Sequence, residues 1–183
     1  MTTYIVCEGD SNKQILEILL PKELLDTVVI VNGGDRLSSV ISLARSVLVR
    51  RQAPVLVFAN ADAILPKQVT ARQHEIDEFM GGVAISPFKV VLAVPEIETI
   101  FFHDLSILTR LTGQTLSPEL LTTATYEPSL VLSQLMPEEQ STQNYADLLE
   151  QLSESDRDRL NHAPPIQDVI EFLRAVRETA NVA

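Results

Sequence analysis

The stretch PVLVFANADA, from Pro54 to Ala63, decides the fold that this sequence predicts. Its apolar residues Val55 to Ala59 follow one another without a break, and two polar residues, Asn60 and Asp62, come next. An apolar run without alternation is typical of a strand covered on both faces, as in a parallel sheet. Asn60 and Asp62 then fall at the carboxyl end of that strand, which is the edge where open α/β sheets bind ligands.

Three further apolar runs predict three more strands in the first 111 residues. The four predicted strands are Tyr4–Cys7, Val28–Val31, Val55–Ala59 and Lys89–Val94. Helical patterns separate them, which is the signature of an α/β domain with a mainly parallel four-stranded sheet and helices on both faces.

The predicted helices differ in how clearly the sequence marks them. A first helix is expected to be capped by Ser11, and an amphipathic helix follows Asp35. A loop over residues 63–69 is expected to precede a polar helix from Thr70 to Met80, and one helix is expected from Pro95 to Leu111. Beyond Thr112 the predicted elements are all helices: Ser117–Thr123, Pro128–Leu135, Asn144–Leu152, Ser155–His162 and Ile166–Thr179. We therefore expect residues 1–112 to form the α/β domain and residues 113–183 to form a helical extension packed on it.

Composition and charge limit the classes of function. The chain has 183 residues and a formal net charge of −11, so strong binding to nucleic acid by its own field is disfavoured. No apolar run approaches the roughly 18–20 residues that span a bilayer, and the N-terminus does not resemble a signal peptide. A single cysteine, Cys7, excludes an internal disulfide. These features predict a cytoplasmic protein without a membrane segment.

Polar side chains follow three of the four predicted strands, and parallel strands would bring them to one edge of the sheet. They are Glu8, Asn60, Asp62, Glu96 and Glu98. Clustered carboxylates at such an edge can hold Mg²⁺, a hard cation that prefers oxygen ligands and can activate water.

The same residues also have structural explanations. Asn60 and Asp62 are common turn formers after a strand. Glu96 and Glu98 lie in the first turn of a predicted helix, where the helix dipole favours acids. Glu8 begins a strand-to-helix turn. Spacing alone leaves both explanations open.

Three segments together resemble a known family. They read CEGDSNKQIL over residues 7–16, VFANADA over residues 57–63 and AVPEIETIFFHD over residues 93–104. In this order they resemble the Toprim (topoisomerase–primase) fold, and most closely the Toprim domains of OLD-type nucleases and related small bacterial defence-associated proteins. The resemblance covers about residues 3–111, with the turn NGGDRL at residues 32–37 as a weaker match.

The resemblance implies roles for individual residues. The glutamate that matches Glu8 acts in that family as general acid or base. The pair that matches Asn60 and Asp62 binds Mg²⁺, and Glu98, with Glu96 before it, matches a supporting acidic segment. The other matching motif positions are Gly9, Asp10, Asn12 and Asp104.

Two positions depart from the family pattern, because Asn60 and Asn12 stand where the family usually has acids. Each change removes a full negative charge and lowers the expected affinity for Mg²⁺. Asp10 is a nearby acid that can compensate from a different place on the turn. The metal site is therefore predicted to be degenerate.

Two functions stay open at this point. One is a Mg²⁺-dependent nuclease that acts on phosphodiesters, and the other is a catalytically inactive Toprim-like binding or regulatory subunit. If the protein acts on nucleic acid, its negative charge predicts that a basic partner chain supplies the contact. Whether it acts alone, as a homo-oligomer or in a larger complex is not determined by the sequence.

Overall fold

The structure is a computed structural model that describes residues 2–136 and 145–182. Four strands form one sheet in the order β2-β1-β3-β4, and every neighbouring pair is parallel. The strands are β1 (Thr3–Cys7), β2 (Val28–Asn32), β3 (Val55–Asn60) and β4 (Phe88–Ala93). The predicted α/β class with a parallel four-stranded sheet is confirmed.

Helices connect the strands and continue to the C-terminus. Those of the first part are α1 (Gly9–Leu19), α2 (Lys22–Leu25), α3 (Leu37–Arg51), α4 (Pro66–Gly81), a 3₁₀ helix (Ile97–Phe102) and α5 (Leu105–Thr112). Those of the second part are α6 (Pro118–Tyr126), α7 (Pro128–Leu135), α8 (Ala146–Glu150), α9 (Glu154–Leu160) and α10 (Pro164–Val182). The predicted beginning of α8 at Asn144 lies outside the described residues. Over the described part of the chain, no helix is long and apolar enough to cross a membrane.

Both faces of the sheet are covered, which explains the unbroken apolar run in β3. Val55 and Val57 lie in a buried cluster with residues of α3 and α4. Leu56 and Phe58 face the opposite side and lie in a second cluster with residues of α1, α10 and the other C-terminal helices. A strand that packs against apolar residues on both faces does not need polar residues at every second position. The C-terminal helices therefore share a core with the sheet.

In the first part of the chain, two helices begin earlier than the sequence pattern predicts. Ser11 does not cap α1, because α1 begins at Gly9, directly after the extended residue Glu8. Gly9 has a φ of +77°, a conformation that is easy only for glycine, and this lets the chain turn into the helix at once. Similarly, α4 begins at Pro66 rather than Thr70, since proline is well suited to the first position of a helix.

The single helix predicted from Pro95 to Leu111 is wrong. The chain instead forms the 3₁₀ helix and then α5, with Asp104 in an extended conformation between them. The Asp104 carboxylate accepts hydrogen bonds from the N–H groups of Ser106 and Ile107. Asp104 is therefore the N-cap of a new helix. The apolar pattern continues across this position, which is why the pattern alone predicts one helix instead of two.

Candidate functional site

A cavity of about 780 Å³ lies at the carboxyl edge of the sheet. It forms there because parallel strands end on the same side, and the segments after β1, β3 and β4 all contribute to it. Its lining includes eight of the residues predicted from the sequence: Glu8, Gly9, Asp10, Asn12, Asn60, Asp62, Glu96 and Glu98. Asp104 is not among the lining residues.

Glu8 lies at the centre of a small network between β1 and β3. Its Oε2 accepts a hydrogen bond from the Asn60 N–H at 3.2 Å, and Arg72 Nη2 lies 3.5 Å from the same oxygen. Burial raises the pKa of Glu8, although the bond from Asn60 and the charge of Arg72 act in the opposite direction. A partly buried carboxyl with a raised pKa is better suited to proton exchange than an exposed carboxyl is.

Arg72 is the main residue that the sequence analysis missed. It lies on α4, and its Nη2 is 2.9 Å from Asp62 Oδ2 as well as 3.5 Å from Glu8 Oε2. A single guanidinium therefore contacts both Asp62, which was expected to bind a metal, and Glu8, which was expected to transfer a proton. No local motif marks Arg72, because only the packing of α4 brings it to the strand ends.

Asn60 connects β3 to the segment after β4. Its Oδ1 accepts a hydrogen bond from the Ile97 N–H at 3.2 Å. The amide oxygen that was expected to face a metal is therefore engaged by the backbone. Asn60 holds the loop that carries Glu96 and Glu98 against the end of β3.

These residues do not fit a single Mg²⁺ ion in the arrangement observed. Within residues 2–136 and 145–182, no group of three Asp, Glu, His or Cys side chains is placed to hold one metal ion. The acids surround the cavity rather than converging on a point, and Arg72 lies against two of them. Mg²⁺ prefers near-ideal octahedral oxygen geometry, so binding would require these side chains to rearrange.

Glu98 and Glu96 contact the C-terminal helices. Glu98 is only 6% exposed, and the Tyr145 hydroxyl donates a hydrogen bond to it. Burial raises the pKa of Glu98, and the charge of Glu96 adds to this effect. Glu96 Oε2 accepts a hydrogen bond from the Ser129 N–H at 3.4 Å. Tyr145 and Ser129 lie outside the motif-bearing part of the sequence, which is why motif reasoning missed them.

The segment after β1 supplies the remaining predicted residues. Asp10 Oδ1 accepts a hydrogen bond from Asn32 Nδ2 at 2.8 Å, which connects the ends of β1 and β2. Asn12 lies in α1 and is 1% exposed, and its Nδ2 has no hydrogen-bond partner among the described residues. Asp35, which the sequence analysis did not select, also lines the cavity.

Asp104 has a structural role instead of a place in the cavity. It caps α5 and forms an ion pair with Arg159 of α9. The hydrogen bond from the Ser106 hydroxyl is the main reason why the pKa of Asp104 is lowered. Helix capping therefore explains why an aspartate stands at position 104, the last position of the segment that resembles the family.

Replacing Glu98 by glutamine should make the stability of the protein less dependent on pH. The folded-state pKa of Glu98 is raised, so its contribution to stability is complete below the unfolded pKa and is lost as pH rises through the folded pKa. Glutamine carries no charge to bury and can still accept the Tyr145 hydrogen bond. Urea unfolding from acidic to neutral pH should show a smaller loss of stability for E98Q than for the wild type.

A matched substitution tests this explanation. Glu171 lies exposed on α10, so E171Q should leave the pH dependence of the unfolding free energy unchanged. Parallel curves of unfolding free energy against pH for the wild type and E98Q would contradict a raised pKa of Glu98.

Comparison of this chain with known protein families, with curated proteins and with solved structures found no match.

Proposed function

We propose that this protein is a Toprim-like binding or regulatory subunit that does not hydrolyse phosphodiesters on its own. The observation that carries the proposal is the contact of Arg72 with both Glu8 and Asp62. These are the two acids to which the family resemblance assigns proton transfer and metal binding. A permanent cation between them takes the place that a catalytic metal would need.

The state of Asn60 supports the same proposal. Its oxygen accepts the Ile97 N–H, and it lacks the charge of the aspartate usual in the family. The site therefore lacks two of the carboxylates expected from the resemblance, at Asn60 and Asn12, and it holds the cation Arg72 against Glu8 and Asp62. Both differences lower the affinity for a divalent metal, so Mg²⁺ binding should be weak.

The proposal is tested by incubating the purified protein with supercoiled plasmid and either Mg²⁺ or Mn²⁺. We expect no nicking above that of a heat-denatured sample, together with weak binding in a calorimetric titration of each metal. Metal-dependent nicking that is abolished by Glu8→Gln would overturn the proposal.

A Mg²⁺-dependent nuclease is the second candidate, and one observation favours it. The raised pKa of Glu8, which lines an open cavity, suits a general acid or base. In this case the metal would have to displace Arg72 from Asp62 before any reaction. The plasmid assay distinguishes the two candidates, because only the nuclease gives nicks that depend on Glu8.

Net charge leads to a prediction about nucleic acid. At −11, the isolated protein should bind DNA or RNA poorly, because its long-range field slows the approach of a polyanion. A fluorescence anisotropy titration with labelled DNA and RNA at about 150 mM salt, where the Debye length is about 8 Å, measures this. Sub-micromolar affinity of the protein alone would contradict it, and would remove the need for a basic partner chain.

We also propose that the protein works in the cytoplasm. Support comes from its one cysteine, Cys7, which is buried in β1. Burial raises the pKa of the Cys7 thiol, which disfavours the reactive thiolate.

A further inference from the structure

We propose that the cavity at the sheet edge, with the apolar cleft beside it, binds a short basic and apolar segment of a partner protein. This inference rests on the proposed function as a binding subunit and names the chemistry of what is bound. Lysine or arginine side chains of the segment would enter the cavity, and an apolar side chain would lie in the cleft.

The first support is an imbalance of charge. Among the residues that the structure describes, six carboxylates line the cavity: Glu8, Asp10, Asp35, Asp62, Glu96 and Glu98. Within the described part of the chain, Arg72 is the one cation that forms an ion pair with any of them, and it contacts only Glu8 and Asp62. The cavity therefore keeps a strong negative potential, which attracts a cationic ligand.

The second support is the distribution of these carboxylates. Over the described residues, no three acids are placed around one point as a metal ion requires. They are spread around a cavity of about 780 Å³, which lies within the usual size of a ligand pocket. Several separated cations, as on a basic peptide, can pair with carboxylates that are not grouped around one point, whereas a single ion cannot.

Asn12 is independent evidence that the ligand also carries hydrogen-bond acceptors. It lines the cavity and is 1% exposed, and its Nδ2 has no partner among the described residues. A buried donor without a partner destabilises a protein. A peptide carbonyl can accept this hydrogen bond, whereas a metal ion or a polyamine cannot.

The neighbouring cleft explains why the ligand should be partly apolar. Ile64, Leu65, Pro95 and Tyr126 line it, and it shares Asp62 and Glu96 with the cavity. Tyr126 is 57% exposed, and the Leu65 side chain is exposed as well. A polyamine would leave this surface uncovered, so the cleft favours a peptide with a leucine or aromatic side chain beside its basic residues.

The experiment measures fluorescence anisotropy with a short labelled peptide of alternating arginine and leucine. We expect saturable binding at physiological salt, and loss of binding when every arginine in the peptide is replaced by glutamine. In the protein, Glu96→Gln, Asn12→Leu and Tyr126→Ala should each weaken binding about tenfold. Because Tyr126 is on the surface, Y126A tests the site even if N12L fails to fold.

Glu171→Gln is the matched control, because it removes the same charge as E96Q from an exposed position on α10. Equal weakening by E96Q and E171Q would show only general attraction to an acidic protein and would overturn the proposal. Displacement of the peptide by spermine at equal concentration, with no effect of Y126A, would also overturn it in favour of a polyamine. A separate assay tests the proposed function itself: metal-dependent plasmid nicking by the same preparation would overturn that function, whatever the result of the peptide titration.

Discussion

Replacing Arg72 by methionine should raise the affinity of the protein for Mg²⁺ about tenfold. The guanidinium lies 2.9 Å from Asp62 Oδ2 and 3.5 Å from Glu8 Oε2, so it competes with any cation for both carboxylates. Two unit charges 4 Å apart interact by about 1 kcal/mol in water and about 4 kcal/mol at the effective dielectric near a protein surface. Asp62 is largely exposed and screened by solvent, so we expect a value near the lower end of this range.

Calorimetric titration of Mg²⁺ into the wild type and R72M measures this difference directly. Melting temperatures with and without Mg²⁺ provide a second readout, because a metal that binds only the folded state stabilises it. Lys67→Met is the matched control, since Lys67 is an exposed cation on the same helix. If R72M and K67M bind Mg²⁺ equally, Arg72 does not limit metal binding and the proposed function loses its main support.

Asn60→Asp should give a smaller gain in Mg²⁺ affinity than R72M. It adds a carboxylate at the position where the resembled family has one, but Arg72 would still neutralise its neighbours. The Ile97 N–H would also continue to engage one oxygen of the new side chain. A gain larger than that of R72M would mean that the missing charge at residue 60, rather than Arg72, limits binding.

Replacing Phe58 by alanine should lower the free energy of unfolding by about 3–5 kcal/mol. Phe58 is in β3 and is 0% exposed, in the cluster that joins the sheet to α1 and the C-terminal helices. The substitution removes apolar contacts and leaves a cavity that the surrounding residues fill only partly. Since domains are stable by only about 5–15 kcal/mol in total, this is a large fraction of the stability.

Phe58 also adjoins the candidate site, because its carbonyl accepts a hydrogen bond from the Glu8 N–H at 2.9 Å. Urea unfolding followed by circular dichroism measures the change. Phe79→Ala is a chemically identical control at a side chain that is 49% exposed, and it should change stability by no more than about 0.5 kcal/mol. Equal losses for F58A and F79A would mean that Phe58 is not at the centre of the core.

The sequence by itself determined the class of fold and the edge of the sheet where the polar residues meet. The run Val55 to Ala59 predicts a strand buried on both faces, and the alternation of strands with helices predicts a parallel sheet. These are local properties, because the apolar period and the first polar residue after a strand are read from neighbouring positions. The shared edge follows, since parallel strands end on the same side.

Only the tertiary structure decided what the polar residues at that edge do. Arg72 reaches Glu8 across 64 positions of the sequence, and Asn60 reaches the Ile97 N–H across 37. Such contacts depend on the order of the strands and on how α4 and the C-terminal helices pack, and neither is visible in a local pattern. The sequence therefore predicted a degenerate metal site, while long-range packing placed a guanidinium between two of its acids.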